Sequence, residues 1–143
     1  MLLLINVDLI KDSEGFREEA YKCPAGKWTI GFGSTFYQDK TPVKEGDTIT
    51  RDKAEELLYW YCNTQVKYPN AKLSDNQKSA LCSLIYNIGQ SAFDKSKCKK
   101  AIERSDWQTA YNEWDWIRAN GKLMPGLVIR RQKEKRLFFE GLL

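Results

Sequence analysis

Histidine is absent from the 143 residues of this chain. Its absence excludes zinc sites with histidine ligands, cysteine–histidine nucleophile pairs and serine triads that use histidine as the base. Zinc-dependent amidases and most peptidases are therefore excluded from the classes of enzyme to consider.

Cysteine is scarce, and its four positions are Cys23, Cys62, Cys82 and Cys98. No two of them form a C-x-x-C pair, which argues against a thiolate zinc cluster or a thioredoxin-like redox motif. An even number of cysteines would allow disulfides, but the sequence has no recognisable secretion signal. We therefore expect free thiols.

Long apolar segments are also missing. Residues 1–10 start as an apolar run, but Asn6 and Asp8 interrupt it, and neither a basic n-region nor a small-residue cleavage site is present. No stretch approaches the roughly 20 apolar residues of a membrane-spanning helix. We expect no signal peptide and no membrane insertion, and residues 1–10 fit an amphipathic helix that buries Leu2, Ile5 and Leu9.

The composition that is present suits one globular domain. Hydrophobic residues make up 42% of the chain and aromatic residues 13%, which is enough to fill a core at this length. The net charge of +4 arises from lysine and arginine interleaved with aspartate and glutamate. Such a mild charge suits weak attraction to an anionic polymer and does not demand a nucleic acid.

Candidate functional residues are concentrated between residues 14 and 33. Glu14, Cys23 and Thr29 are separated by eight and then five residues. A tight turn at Pro24-Ala25-Gly26-Lys27 would fold Cys23 and Thr29 back beside each other. An acid, a thiol and a hydroxyl would then share one cleft.

The order Glu14, Cys23, Thr29 and then Ile30-Gly31-Phe32-Gly33 resembles the active-site signature of phage-type lysozymes, glycoside hydrolase family 24. Further similar segments follow at residues 77–81, 86–89, 92–93 and 125–131, with Glu134 beyond them. Each segment is weak alone, and their order and spacing carry the resemblance. It covers nearly the whole chain.

The resemblance implies an α+β fold that is mostly helical and lysozyme-like, in a single catalytic domain over residues 1–143. A small antiparallel sheet lobe at about residues 15–50 and a helical lobe at residues 1–14 and about 51–143 would flank an active-site cleft.

Local signals predict where the elements lie. Aromatic or β-branched residues alternate with glycine over residues 21–37, which predicts the small antiparallel sheet. A turn is expected around residues 92–93, and Gly89 should end the helix before it. Capping residues or a proline predict four helix starts, at Thr50, Ser74, Ser105 and Pro125.

Glu14 is the expected general acid. Glycoside hydrolysis needs a proton on the leaving oxygen, and the resemblance implies that Glu14 donates it. The first helix should end near Asp12 or Ser13, which leaves Glu14 at its C-terminal edge, where the helix dipole favours the protonated carboxyl. Outside the motif, Glu14 would be an ordinary solvated acid.

Cys23 stands where the family more often has an Asp that orients or activates the attacking water. A thiol of pKa about 8.5 is mostly protonated at neutral pH, and Glu14 should raise the Cys23 pKa unless Lys22 or Arg17 lowers it. The hydroxyl of Thr29 is expected to hold the water, so we predict inversion at the anomeric carbon. The alternatives are Cys23 as a nucleophile or an apolar filler, and Thr29 as an ordinary strand residue.

The resemblance also implies supporting residues. Substrate contacts are expected from Tyr86 and Asn87, with Asn87 suited to an N-acetyl group. Independently of the resemblance, the aromatic residues of the small sheet, Phe32 among them, are candidates for stacking on sugar rings. Arg130, the first arginine of a pair, is implied to lie near Glu14 and order it. Alternatively, Tyr86 and Phe32 pack in the core, Asn87 caps a helix and Arg130 belongs to a solvated face.

The function implied is that of a muramidase that hydrolyses the β-1,4 bond between N-acetylmuramic acid and N-acetylglucosamine in peptidoglycan. We expect a monomer that needs no cofactor or metal, binds no nucleic acid and stays in the host cytoplasm until another protein releases it to the wall. One alternative is a lytic transglycosylase, which would leave 1,6-anhydromuramic ends. The other is a non-enzymatic module that binds cell wall or nucleic acid through basic clusters at residues 97–100 and 130–136.

Overall fold

The computed structural model describes residues 5–143 and divides into two compact units. Among these residues, the helical unit comprises residues 5–9 and Val66–Leu143, and the sheet unit comprises Ile10–Gln65. In the described part of the chain, helices predominate, accompanied by two small antiparallel sheets of two strands each. The predicted α+β class is confirmed, whereas the grouping of both units into one catalytic domain stays a prediction.

The first helix begins later than predicted. Helix α1 is Asp8–Glu14, residues 5–7 are not helical, and residues 1–4 lie outside the described part of the chain. The backbone N–H of Asp8 donates to Asn6 Oδ1 at 2.8 Å. Asn6 therefore satisfies a backbone N–H donor at the start of the helix. This explains why Asn6, which interrupts the apolar run in the sequence, lies just before the helix and not within it.

The sheet unit continues from α1 into the predicted antiparallel pair. Its further elements are β1 at Arg17–Lys22, β2 at Trp28–Gly31, α2 at Arg51–Trp60 and a π-helical turn at Tyr61–Gln65. The side chain of Thr50 accepts a hydrogen bond from the backbone of Lys53 at 3.3 Å, which confirms the predicted N-cap of α2.

Gly31 lets α2 pack directly on β2. Its φ is +63°, and a Cβ at this position would lie 2.9 Å from Cβ of Ala54, closer than packed carbon atoms allow. Ile30, Leu57 and Leu58 are buried alongside. The sheet unit therefore includes α2 and extends past residue 50, where the sheet lobe was expected to end.

The helical unit contains five helices among the residues described: α3 at Asp75–Ile88, α4 at Gln90–Asp94, α5 at Lys97–Glu103, α6 at Trp107–Asn112 and α7 at Pro125–Phe139. Ser74 and Gln77 form both hydrogen bonds of a capping box at the start of α3, as predicted. Gly89 ends that helix with φ +92°, and Pro125 is the first residue of α7. These starts and stops confirm the local signals.

Three elements differ from the prediction. Asp106, not Ser105, caps α6, because Ser105 has φ +58° and Asp106 Oδ1 accepts from the backbone of Thr109 at 3.3 Å. The turn expected near residue 92 is the short helix α4. An unpredicted hairpin pairs β3, Arg118–Ala119, with β4, Lys122–Leu123. The Asn-Gly pair between its strands is a known signal for such turns and was present in the sequence.

Aromatic side chains fill part of the core of the helical unit. The ring of Trp114 lies 5.2 Å from that of Phe138 and 5.5 Å from that of Phe139, and all three are buried. Edge-on and tilted contacts of this kind add to the burial of apolar area. Among the described residues, no helix combines the length and apolar character needed to cross a membrane.

Candidate active site

Glu14 lies where α1 gives way to the sheet. It is the last residue of α1, and Gly15 follows with φ +70° and donates its N–H to Lys11 O at 3.0 Å. β1 begins at Arg17, which is paired with Gly31 of β2. The side chain of Glu14 is partly exposed, so a ligand on this edge of the sheet unit could receive its proton.

A tight turn joins β1 to β2, as predicted from residues 24–27. Cys23 N donates to Lys27 O at 2.9 Å, and Gly26 N donates to Cys23 O at 2.8 Å. Tyr21 is paired with Thr29 across the strands. The Thr29 hydroxyl is close enough to the Cys23 thiol to lower its pKa, and the strand pairing and the turn put both residues at the same end of the sheet.

The expected direction of the Cys23 pKa is wrong. The pKa of this partly exposed thiol lies below the ordinary cysteine value, chiefly because the backbone N–H of Lys27 donates to the sulfur. Hydrogen bonds from the backbone of Ala25 and from the Thr29 hydroxyl act in the same direction, and burial opposes them. The expectation considered only charged side chains near the sulfur, whereas the turn itself supplies N–H donors that favour the thiolate.

Thr29 has one hydroxyl proton and more than one neighbour to receive it. Its Oγ1 donates to Lys27 O at 3.0 Å, and the side chain is 4% exposed. While the proton is directed at that carbonyl, the lone pairs of Oγ1 point elsewhere and can accept an O–H from water. When Cys23 is a thiolate, the same proton can turn toward the sulfur.

The four cysteines fall into two groups. Cys62 and Cys82 are disulfide-bonded, so the expectation of free thiols is wrong for them. Cys23 and Cys98 are free. Burial raises the pKa of Cys98 to about 12, whereas Cys23 is partly exposed with a lowered pKa. Cysteine spacing could not reveal this, because pairing depends on which buried side chains the fold brings within bonding distance.

We expect a limiting amount of iodoacetamide at neutral pH to label Cys23 alone in the native protein. The thiolate is the reactive form, and Cys23 combines exposure with a lowered pKa. Intact mass should show one adduct, and peptide mapping should place it on Cys23. A Cys23→Ser variant should take up no label until it is denatured without reductant, when Cys98 reacts. Rapid native labelling of Cys98 would contradict the assignment.

Phe32 does not have the place expected of a sugar-stacking residue. Its ring is 1% exposed and lies 5.4 Å from the ring of Phe16, with the guanidinium of Arg51 at 5.4 Å from its centroid. A ring enclosed in this way cannot present a face to a sugar, so Phe32 is a core residue of the sheet unit. The aromatic alternation that suggested stacking also describes core packing.

The remaining site residues belong to the helical unit. Tyr86 is partly exposed and Asn87 exposed, one after the other in the last turn of α3. Their contact with a sugar stays a prediction. Arg130 is not on a solvated face: it is 5% exposed, and its Nε and Nη2 donate to Oγ and O of Ser83 at 3.2 and 3.1 Å.

Sequence reasoning missed a buried polar network around Arg130. Glu134 is fully buried and accepts from Ser83 Oγ at 2.5 Å and Trp114 Nε1 at 3.1 Å. Burial raises the pKa of Glu134, and the Arg131 guanidinium is the main influence opposing that rise. The signal available was Arg-Arg-x-x-Glu, whose spacing places the three side chains on one side of a helix.

Over residues 5–143 there is no cluster of three or more Cys, Asp or Glu side chains that could hold a metal ion. The sheet unit offers three groups for chemistry: the carboxyl of Glu14, the thiol of Cys23 and the hydroxyl of Thr29. A carboxylic acid can protonate a leaving group, and a thiolate beside a hydroxyl can orient a water or accept its proton.

Comparisons with known proteins agree with one another. The family model described as phage lysozyme matches residues 11–134. The endolysin of Acyrthosiphon pisum secondary endosymbiont phage 1 is 41% identical over 91% of this chain and 92% of its own, and that of Salmonella phage P22 is 37% identical over 90% and 91%. The solved endolysin of Escherichia coli O157:H7 phage FAHEc1 aligns with TM-score 0.81 and 30% identity, covering 99% of this chain and 95% of its own.

Proposed function

This chain belongs to the phage lysozyme family and is a muramidase that cleaves peptidoglycan, and we propose how its own residues carry out that reaction. Glu14 donates its proton to the glycosidic oxygen as the bond to the anomeric carbon breaks. A water held by Cys23 and Thr29 attacks that carbon from the opposite face. The proton of the water passes to the Cys23 thiolate, and the two groups exchange protons with solvent before the next turnover.

The meeting of Cys23 and Thr29 at the end of the hairpin is the observation that carries this proposal. The donors that lower the Cys23 pKa stabilise an anion at the position where the family more often has aspartate. A general base needs a pKa close to the working pH, and these hydrogen bonds bring the pKa of the Cys23 thiol closer to that pH. Thr29 Oγ1 supplies the second contact that a bound water needs.

The supporting roles are proposed from the same resemblance. Arg130 orders the carboxyl of Glu14, and Tyr86 and Asn87 contact the sugar, with Asn87 meeting an N-acetyl group. Residues 1–143 act as a single catalytic domain. We also propose that the protein acts as a monomer without a cofactor and remains in the host cytoplasm until another protein admits it to the cell wall.

The anomer formed first distinguishes this mechanism from its nearest competitor. A water held by Cys23 and Thr29 attacks the face opposite the leaving group and produces the α-anomer from a β-linked substrate. Direct attack by the Cys23 thiolate would form a thioglycosyl intermediate and yield the β-anomer after hydrolysis. We expect inversion, because sulfur accepts a proton from the acid weakly and a thioglycoside would be released slowly.

Proton nuclear magnetic resonance of a soluble muropeptide oligomer, recorded within the first minutes of digestion, makes the measurement. The purified product, dissolved in the same buffer without enzyme and followed for the same time, is the control for spontaneous mutarotation. An initial β-anomer, or a sugar mass trapped on the Cys23 peptide, would overturn the role of the thiol as a holder of water. A 1,6-anhydromuramic product would instead assign the chain to the transglycosylases.

A further inference from the structure

Two cations of β1 lie over aromatic rings of the same hairpin. The guanidinium of Arg17 is 4.7 Å from the centroid of the Tyr21 ring, and the ammonium of Lys22 is 5.4 Å from that of Trp28. Both cations are exposed, and both rings are partly exposed. Each pair therefore presents a positive charge and an aromatic surface to solvent, so the two pairs can be compared directly.

Strand pairing puts these two pairs on opposite faces of the hairpin. Tyr21 is directly opposite Thr29, and Lys22 is directly opposite Trp28. Residues directly opposite each other share a face, and successive residues of a strand point to opposite faces. Tyr21 therefore lies on the face of Thr29, whereas Lys22 and Trp28 lie on the other.

The face of Tyr21 is also that of the Cys23 thiol. Cys23 follows Tyr21 by two residues, and its backbone N–H continues the pairing by donating to Lys27 O at 2.9 Å. Alternation along the chain thus returns Cys23 to the side of Tyr21. Tyr21, Thr29 and Cys23 line one face of the hairpin. Arg17 lies over the ring of Tyr21 beside them.

The guanidinium of Arg17 is available to a ligand. Within residues 5–143, Arg17 forms no ion pair or side-chain hydrogen bond, and its contact is with the ring of Tyr21. This holds although Glu18 and Glu19 follow it in β1. The strands shift register between Arg17 and Tyr21, and such irregularities redirect side chains. A guanidinium over a ring keeps the N–H donors at its edges for an acceptor.

A carboxylate is the acceptor that fits these donors best. Its two oxygens match two parallel N–H groups of a guanidinium, which gives a bidentate pair. Peptidoglycan supplies carboxylates from two sources. One is the lactyl group of N-acetylmuramic acid, which is free where no peptide is attached, and the other is the attached peptide.

We propose that Arg17 binds a carboxylate of the peptidoglycan substrate, with Tyr21 as the positioning residue that holds the guanidinium. The proposal rests on the proposed function in one respect, namely that the hairpin face with Cys23 and Thr29 meets the substrate. Arg17 then favours anionic glycan over neutral glycan. Lys22 carries the same charge over a similar ring, but on the other face it has no such role.

Three glycan oligomers make up the test. The first carries its peptides, the second is stripped of peptides so that its lactyl carboxylates are free, and the third is the stripped oligomer with those carboxyls amidated. The neutral third oligomer is measured as a competitive inhibitor, so it needs no turnover of its own. Comparison of the two anionic oligomers identifies which source supplies the carboxylate.

Arg17→Gln and its matched control Lys22→Gln each remove one exposed cation and one cation–π pair from β1. We expect Arg17→Gln to raise KM about fivefold on at least one anionic oligomer, the effect of one partly exposed charge pair. Its kcat, and both constants of Lys22→Gln, should stay within about twofold of the parent. The hydrogen bonds that lower the pKa of Cys23 come from its own turn and Thr29, so the KM effect does not arise through the thiol.

Variants of Tyr21 test its positioning role. Tyr21→Phe keeps the ring and should keep the parent KM, whereas Tyr21→Leu removes the ring and should raise KM on the same oligomer as Arg17→Gln does. Adding Tyr21→Leu to Arg17→Gln should cause no further rise if the ring acts through the guanidinium. The inhibition constant of the amidated oligomer should be the same for all of these proteins.

Two results would overturn the inference. One is an equal KM for Arg17→Gln and Lys22→Gln on both anionic oligomers, and the other is an equal weakening of the amidated oligomer by Arg17→Gln. Cys23→Ala separates this failure from that of the proposed function. A parental rate in Cys23→Ala refutes the role of the thiol whatever Arg17 does. A slow Cys23→Ala with equal KM for the two cation variants refutes only the inference.

Discussion

Glu14→Gln is expected to abolish lysis of purified peptidoglycan while leaving the melting temperature almost unchanged. The amide is nearly the same size as the carboxyl but has no acidic proton to give, and a positioned general acid supplies about 10²–10⁴-fold in rate. Glu14 is partly exposed at the end of α1, so the amide fits without burying an extra polar group. Loss of turbidity of a wall suspension gives the rate, and thermal denaturation gives the stability.

Glu18→Gln is the matched control for this experiment. It removes one negative charge from an exposed position on β1, four residues further along the chain, and should leave lysis within about twofold because exposed charges have little effect on neighbouring groups. If Glu14→Gln keeps more than about a tenth of the parent rate, Glu14 is not the acid. If Glu14→Gln and Glu18→Gln lower the rate of lysis equally, the negative charge on this edge of the sheet unit, and not proton donation by Glu14, determines the rate.

Changes at Cys23 should have the second largest effect. Cys23→Ala is expected to lower the rate about 10²-fold, at the low end of what a positioned base contributes. Cys23→Asp should keep or raise the parent rate, because the N–H donors of Lys27 and Ala25 that stabilise the thiolate can also stabilise a carboxylate. The same turbidity assay, with each melting temperature recorded, makes the comparison.

Cys23→Ser is the informative control at this position. Serine keeps the size and hydrogen-bonding capacity of the side chain but cannot become an anion near neutral pH. A rate as low as that of Cys23→Ala would show that an anion is required. If the alanine, serine and aspartate variants all match the parent, the thiol is only a filler and water is activated elsewhere.

Local signals in the sequence were enough for the parts of the site that lie close together along the chain. The tight turn after Cys23 and the pairing of Tyr21 with Thr29 depend on adjacent residues, so the meeting of Cys23 with Thr29 was predictable. The same reason applies to the caps at Thr50 and Ser74 and to Glu14 as the last residue of α1. Cap and turn hydrogen bonds close over two to four residues, and no distant partner is needed to specify them.

Which side chains are buried could not be predicted from the sequence and became clear only from the fold. The sequence predicts that Phe32 contacts substrate, and a solvated helix face is one alternative for Arg130. Both side chains are buried in the structure. Whether an aromatic or charged residue faces solvent depends on which element packs over it. The packing of α2 on β2 at Gly31 and of α7 on α3 at Ser83 joins residues far apart in sequence. Hydrophobic periodicity predicts that a face is buried but not which element covers it.

The family motif, the helix starts at Thr50, Ser74 and Pro125 and the exclusion of histidine chemistry were therefore determined by the sequence itself, because each is a matter of residue identity and short spacing. Only the tertiary structure decided the disulfide-bonded state of Cys62 and Cys82, the lowered pKa of Cys23 and the hydrogen bonds of Arg130 to Ser83. The physical reason is that disulfide formation, hydrogen bonding to an anion and the cost of burying a charge all depend on interatomic distances and on the exclusion of water. The distances between residues far apart in sequence, and the access of water to them, are set only when the chain packs.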